Sequence, residues 1–271
     1  MDWLTDPFAQ AFAQRALLGG VLAVIATSLV GTWVIIRGMA FMGDALVHGI
    51  IPGIAIAVAL GFNTTLGAAL AAIVMVFGIN LLHRQTSFSE DTSIGLLFVG
   101  MLALGVIIIS RTASYAGSLT AILFGDVLGV TDGDLVLSGV VAGLAIAASV
   151  VLYRPFLALS FNEAKADLLG LRPNTAHFVL LGLIALAVIG SFPTVGTLLV
   201  FGLLVAPPAT AALIARRVPT VMITSVGIGV VSVLLGLIVS YHLDTAGSAT
   251  MALVPVIFFF IVLAARSLRP T

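Results

Sequence analysis

The chain has 271 residues, of which 61% are hydrophobic and only 8% charged, and its mean hydropathy is +1.28. About a quarter of an average globular domain is charged, so this composition excludes a domain whose whole surface meets water. The formal charge is zero and cysteine is absent. That removes the basic surface nucleic acid requires, and with it disulfides and thiolate metal sites.

Nine apolar segments run along the chain, at roughly 15–36, 41–60, 64–82, 93–110, 134–153, 175–192, 195–215, 219–240 and 247–265. About 20 apolar residues cross the hydrocarbon core of a bilayer. Backbone in lipid has to satisfy its own hydrogen bonds, so each segment is predicted to be helical. The expected fold class is an all-α integral membrane protein, a polytopic bundle of eight or nine transmembrane helices, eight if two neighbours fuse. Residues 1–271 form a single transmembrane domain with the lipid bilayer as a partner. The opening MDWLTDPFAQAFAQ has no basic region before an apolar core, and no cleavable signal peptide is expected.

The second segment opens with RGMAFMGDALVHGIIPG, which carries Asp44 and His48. Four residues apart, they share one helix face. An ionisable pair inside an apolar span faces a cavity or a partner, and carboxylate with imidazole suits a divalent cation such as zinc or manganese. Pro52 and Gly53 interrupt the helix just beyond. A helix-start aspartate with a hydrogen-bonded core histidine explains the same spacing without an ion. Before the fourth segment, Phe88-Ser89-Glu90-Asp91-Thr92 reads as an acidic helix start, which capping alone explains. The stretch 111–133 is too polar to span and is expected as a surface or re-entrant helix.

After the fifth segment, Ser160 to Arg172 (SFNEAKADLLGLR) reads as a short amphipathic helix containing Glu163 and Asp167, with Gly170 as its stop. Such a segment lies on the membrane or docks a soluble partner. Within the seventh segment, Pro207 and Pro208 remove two backbone donors and bend the helix. The freed carbonyls line a pathway, or the bend is only structural. Arg216 and Arg217 follow, a second docking candidate. Ser240 to Gly247 (SYHLDTAG) offers His242 and Asp244, or is a polar turn in which Asp244 caps the next helix. His83 and His177 lie beside loops and are assigned no ligand role. Placing the loop 154–174 in the cytoplasm puts Arg37, Arg84, Arg154, Lys165, Arg172, Arg216, Arg217, Arg266 and Arg269 inside and Arg111 outside. The N-terminus is then outside and the C-terminus inside.

In this order RGMAFMGDALVHGIIPG, FSEDTSIGLLF, LFGDVL, FNEAKADLLGL, VGTLLVFGLLVAPPATAA and SYHLDTAGS resemble the permease family of zinc, manganese and iron ABC importers, over about residues 15–265. The resemblance implies a type II ABC importer permease in a bacterial or archaeal plasma membrane. It would be a homodimer bound to two cytoplasmic ATP-binding-cassette ATPase subunits, supplied by an extracytoplasmic metal-binding protein. The chain itself would be no enzyme and hold no permanent cofactor; its cargo would be a divalent zinc, manganese or iron ion. Asp44 and His48 match the family's polar pair in the second span, and Asp244 its acidic residue near the outer gate, with His242 a weaker addition. By analogy with the larger vitamin and siderophore importers, the stretch following Pro207 and Pro208, through about Thr220 and including Arg216 and Arg217, would dock the ATPase, flanked by the 160–172 segment with Glu163 and Asp167. A siderophore or vitamin importer would have a wide apolar pathway, and an ion-coupled secondary transporter would need no ATPase. A structural or sensory membrane protein would need neither the ligand pair nor the docking segments. Asp44 with His48 favours a bare ion.

Overall fold

The computed structural model describes residues 6–85, 89–111, 129–161 and 163–268. All regular structure among them is helical. A short turn of 3-10 helix, Asp6–Ala9, leads into α1, Ala11–Ile36. Next, α2 (Ala40–Gly49) and α3 (Ile51–Leu60) make one span broken at Ile50. They are followed by α4 (Thr64–Gln85), α5 (Glu90–Ser110), α6 (Asp132–Val151), α7 (Tyr153–Phe161) and α8 (Glu163–Leu168). The helical stretch Pro173–Ile214 holds α9, Pro173–Gly196, and α10, Leu199–Ile214. The chain closes with α11, Val218–Leu243, and α12, Gly247–Ser267.

Eight described stretches are long and apolar enough to cross a membrane, and α10 is a shorter apolar helix. Pro173–Ile214 counts 42 residues. A straight rod of that length would measure about 63 Å, twice the hydrocarbon thickness. The chain instead reverses at Gly196, where φ is 75° and ψ 164°, a conformation that only glycine adopts without strain.

Neighbours fix the reversal. His177, near the start of α9, reaches Arg37 at the end of α1. Thr194 packs on Gly19, near the other end of α1, and Leu204 and Pro208 of α10 return to Gly31. So α9 runs antiparallel to α1, and α10 runs back beside it. Then α11 turns again, with Ser225 beside Ser28 and Val233 beside Gly20. The nine predicted apolar segments thus make nine passages among the described residues.

One end of the bundle gathers Arg37, Arg154, Arg172, Arg216, Arg217 and Arg266. The other carries Asp244, Arg111, and Arg15 paired with Asp132 at 3.2 Å. The basic end is cytoplasmic by the positive-inside rule, as expected. Residues 112–128, with most of the expected 111–133 helix and LFGDVL, lie outside the described residues, as do Phe88, Arg269 and the side chains of His83, Arg84 and Glu163.

Helix α1 sits at the centre, packed against α6, α9, α10 and α11. Its cytoplasmic end is anchored by Trp33, which is fully buried with Tyr153 and Phe156 of α7 edge-on at ring distances of 5.7 and 5.5 Å. The core is apolar, and so is much of the outer surface. Leu66 and Leu70 of α4, Ile107 of α5, Val136 and Val150 of α6 and Phe260 of α12 all face outward, where lipid leaves nothing to hide from. Where α3 crosses α4, Gly53 and Gly67 bring two backbones together, and a Cβ on either would collide with the other's carbonyl oxygen.

Candidate functional site

Gly38, at a φ of 70°, ends the turn after α1, and α2 starts at Ala40 with Met39 as a cap lacking any side-chain bond. Asp44 therefore stands more than one turn inside the helix and caps nothing, which removes the helix-start explanation. His48 Nδ1 lies 3.1 Å from the Asp44 carbonyl oxygen and 3.3 Å from Asp44 Oδ1. Both neighbours are acceptors, so the Nδ1 carries the proton, and in the neutral ring Nε2 keeps a lone pair for a ligand. The two side chains are 29% and 28% exposed. The pair is therefore presented at the protein's surface, and is not a closed core contact.

The frame around the pair is apolar. Phe98 of α5 stands edge-on to His48 at 6.0 Å and to Phe41 at 5.8 Å. Gly43, on the same helix, packs against Leu204 and Phe201 of α10. Past the pair, Pro52 has no N–H to give the His48 carbonyl, which takes the Ile50 N–H instead. The predicted break beyond His48 is thus present, at Ile50 and the first turn of α3.

Asp244 is elsewhere. Ser225 marks the depth of Ser28, and Asp244 lies nineteen residues beyond it on α11, about 28 Å along the axis. It belongs to the extracytoplasmic end and joins no common ligand set with Asp44 and His48. It ends α11 in a left-handed conformation, φ 51°, while Ala246 precedes α12 without a side-chain cap. Asp244 therefore does not cap the next helix. It lines a cavity of about 670 Å³ with Phe8, Phe12, Tyr241 and Thr245. His242 is not part of that lining and sits edge-on to Tyr241 at 5.3 Å. Among the described residues no three of His, Cys, Asp and Glu gather into a metal-binding group.

Pro207 and Pro208 are buried inside α10. Pro208 leaves the Leu204 carbonyl without its helical donor, and that oxygen abuts Gly31 of α1. That close approach seats α10 on α1. At the basic end, Arg37 donates to His177 Nδ1 at 3.0 Å, so His177 is buried and fixes α9 to α1. Arg216 lines a cavity of about 420 Å³ with Arg266, which donates to the Leu213 carbonyl, and Arg217 precedes α11. Asp167 is exposed on α8. Beside it Leu168 and Leu169 are 88% and 72% exposed. Sequence reasoning passed over this apolar tip, whose only signal was two leucines after a polar run. At α5, Ser89 is the cap and accepts from the Thr92 N–H at 3.2 Å.

A polytopic helical bundle with a partly exposed carboxylate–imidazole pair on a broken span is the architecture of a membrane permease. Residues 9–266 match the ABC 3 transport family, and the chain belongs to that family. It is similar to the manganese transport system membrane protein MntC of Listeria innocua, 36% identical over 261 residues, 96% of this chain and 93% of that one. The chelated iron transport system membrane protein YfeD of Yersinia pestis is 29% identical over 267 residues, 98% of this chain and 90% of that one. Among solved structures, PsaBC from Streptococcus pneumoniae in complex with Fab has a TM-score of 0.84 at 30% identity, covering 96% of this chain and 94% of that one. The expected likeness and the multi-pass place in a bacterial plasma membrane both hold.

Proposed function

We propose that this chain is the membrane-spanning subunit through which a divalent transition-metal cation enters the cytoplasm. The relatives' names favour manganese or iron, with zinc the third ion that the ligand chemistry accommodates. The observation that carries this reading is Asp44 and His48 on one face of α2, partly exposed and bonded to each other. Among the described residues no third His, Cys, Asp or Glu joins this pair, so a second copy facing it would double the ligand set. A homodimer is therefore part of the proposal. A site of few protein ligands keeps water on the ion and releases it, as transit demands. An extracytoplasmic metal-binding protein would deliver the ion to the end bearing Asp244, and a separate pair of ATPase subunits would supply the energy.

The test is uptake by proteoliposomes containing the chain, its ATPase and its binding protein, offered manganese, iron and zinc. ATP-dependent accumulation of one ion is the expected result. Accumulation driven by a proton or sodium gradient without the ATPase would replace this reading with a secondary transporter. Uptake only of a chelated or organic cargo would replace it with a siderophore or vitamin importer.

The ATPase would dock on α8 and the loop after it, where Leu168 and Leu169 protrude beside Asp167. Arg216 and Arg217 would flank that surface. The double change Leu168→Glu, Leu169→Glu is expected to abolish metal-stimulated ATP hydrolysis, and Arg216→Glu with Arg217→Glu to weaken it. The reverse ranking would move the main contact to the stretch after Pro207 and Pro208.

A further inference from the structure

Helices α6 and α11 both pack on α1 but scarcely touch each other. Between them, at the basic end, a groove of about 580 Å³ has Leu29 of α1 as its floor and Val150 and Ile223 as walls. Val150 and Ile223 are largely exposed, so the groove opens to hydrocarbon. Tyr153 and Arg154, which follow α6, line its aqueous end. Neither ion pair among the described side chains involves Arg154. Ser149 lines the same groove, is only 7% exposed, and its hydroxyl bonds to no described residue. The first turn of α11 also meets the groove, through Pro219. Its cap, Arg217, makes no side-chain bond to it, which leaves the positive end of a helix dipole beside that end of the groove.

We propose that this groove holds one anionic phospholipid of the inner leaflet. Its phosphate would lie at Arg154 and the start of α11, and the Ser149 hydroxyl would donate to a phosphate or ester oxygen. An acyl chain would run between Val150 and Ile223 over Leu29. The charge argues for an anion, since the lining has a guanidinium, a helix N-terminus and no carboxylate. The walls argue for a lipid over a free anion, because a free phosphate would leave them exposed to tails it does not have. A second copy is disfavoured because the groove lies on the α6 and α11 side of α1, whereas the helix carrying Asp44 and His48 packs on α10.

Native mass spectrometry of the full chain in mild detergent tests this, with phosphatidylglycerol and phosphatidylcholine of equal acyl chains. The chain should retain one phosphatidylglycerol with about fivefold or greater preference, the scale of one basic side chain at an anionic surface. Arg154→Gln should remove the preference and Arg154→Lys restore most of it. Ile223→Trp, which fills the apolar wall, should lower retention of both lipids. Phosphatidylglycerol should also raise the thermal midpoint of the wild type and leave that of Arg154→Gln unmoved. Equal retention of the two lipids, or an undiminished preference in Arg154→Gln, overturns the proposal. Displacement of phosphatidylglycerol by inorganic phosphate would make it a free-anion site, and displacement by the ATPase an interface between subunits; either result also overturns it.

Discussion

Asp44→Ala and His48→Ala should each lower ATP-dependent metal uptake about tenfold or more, while the chain still folds and inserts. Each removes one member of a ligand pair that no third His, Cys, Asp or Glu joins among the described residues. Loss of even an outer partner of a metal ligand costs 10- to 100-fold. Stability should change little, because both side chains are more than a quarter exposed and neither anchors another helix through a hydrogen bond. Asp44→Asn separates the two roles more sharply. The amide keeps the shape and still accepts from His48 Nδ1, yet it has no charge with which to hold a cation. Uptake lost in Asp44→Asn with an unchanged thermal midpoint assigns the pair to the ion pathway. Uptake retained in all three variants would move the pathway to another face of the bundle.

Gly53→Ala should be the opposite kind of variant, poorly folded whatever the cargo. A Cβ at Gly53 would meet the Gly67 carbonyl oxygen, and beyond it the Ala71 methyl at 2.7 Å. The first obstacle is backbone and cannot rotate away. Overpacking of this kind costs about 1–3 kcal/mol and more where the backbone is pinned. Here the pinned helix is α3, which carries Pro52 in its first turn and shares its span with the helix carrying Asp44. Gly100→Ala is the control, since nothing lies within 4 Å of its added methyl. Size-exclusion profiles and thermal midpoints in detergent should separate the two. A Gly53→Ala chain as stable as Gly100→Ala would mean that α3 and α4 are less closely apposed than described.

The helical segments were legible because lipid permits so few solutions. Nearly every apolar run had to become a helix, and the basic residues oriented them. The hairpin at Gly196 was legible too, as the short interval between two predicted segments around Pro193. What a pattern cannot supply is register against a neighbour. Asp44 read equally well as a helix cap until Gly38 and Met39 fixed where α2 begins. Asp244 read as a cap for α12, but a left-handed backbone turns it toward the cavity with Phe8 and Phe12 instead. Leu168 and Leu169 fall in a segment that reads as an amphipathic helix, but its pattern does not say which of its apolar residues the rest of the chain leaves uncovered. Arg37 and His177 are separated by 140 positions, and no local pattern brings such a pair together.

The reversal at Gly196 also decides which parts of the chain can be reached from which compartment. With it, Gly170 and Arg216 open to one aqueous phase and Arg111 and Asp244 to the other. Without it, every loop after Ile214 would change sides. The sequence has no cysteine, so a single thiol introduced into any loop would be the sole target of a membrane-impermeant reagent. The sidedness of the whole second half of the molecule thus reduces to the backbone of one glycine, and labelling from outside intact cells reads it out residue by residue.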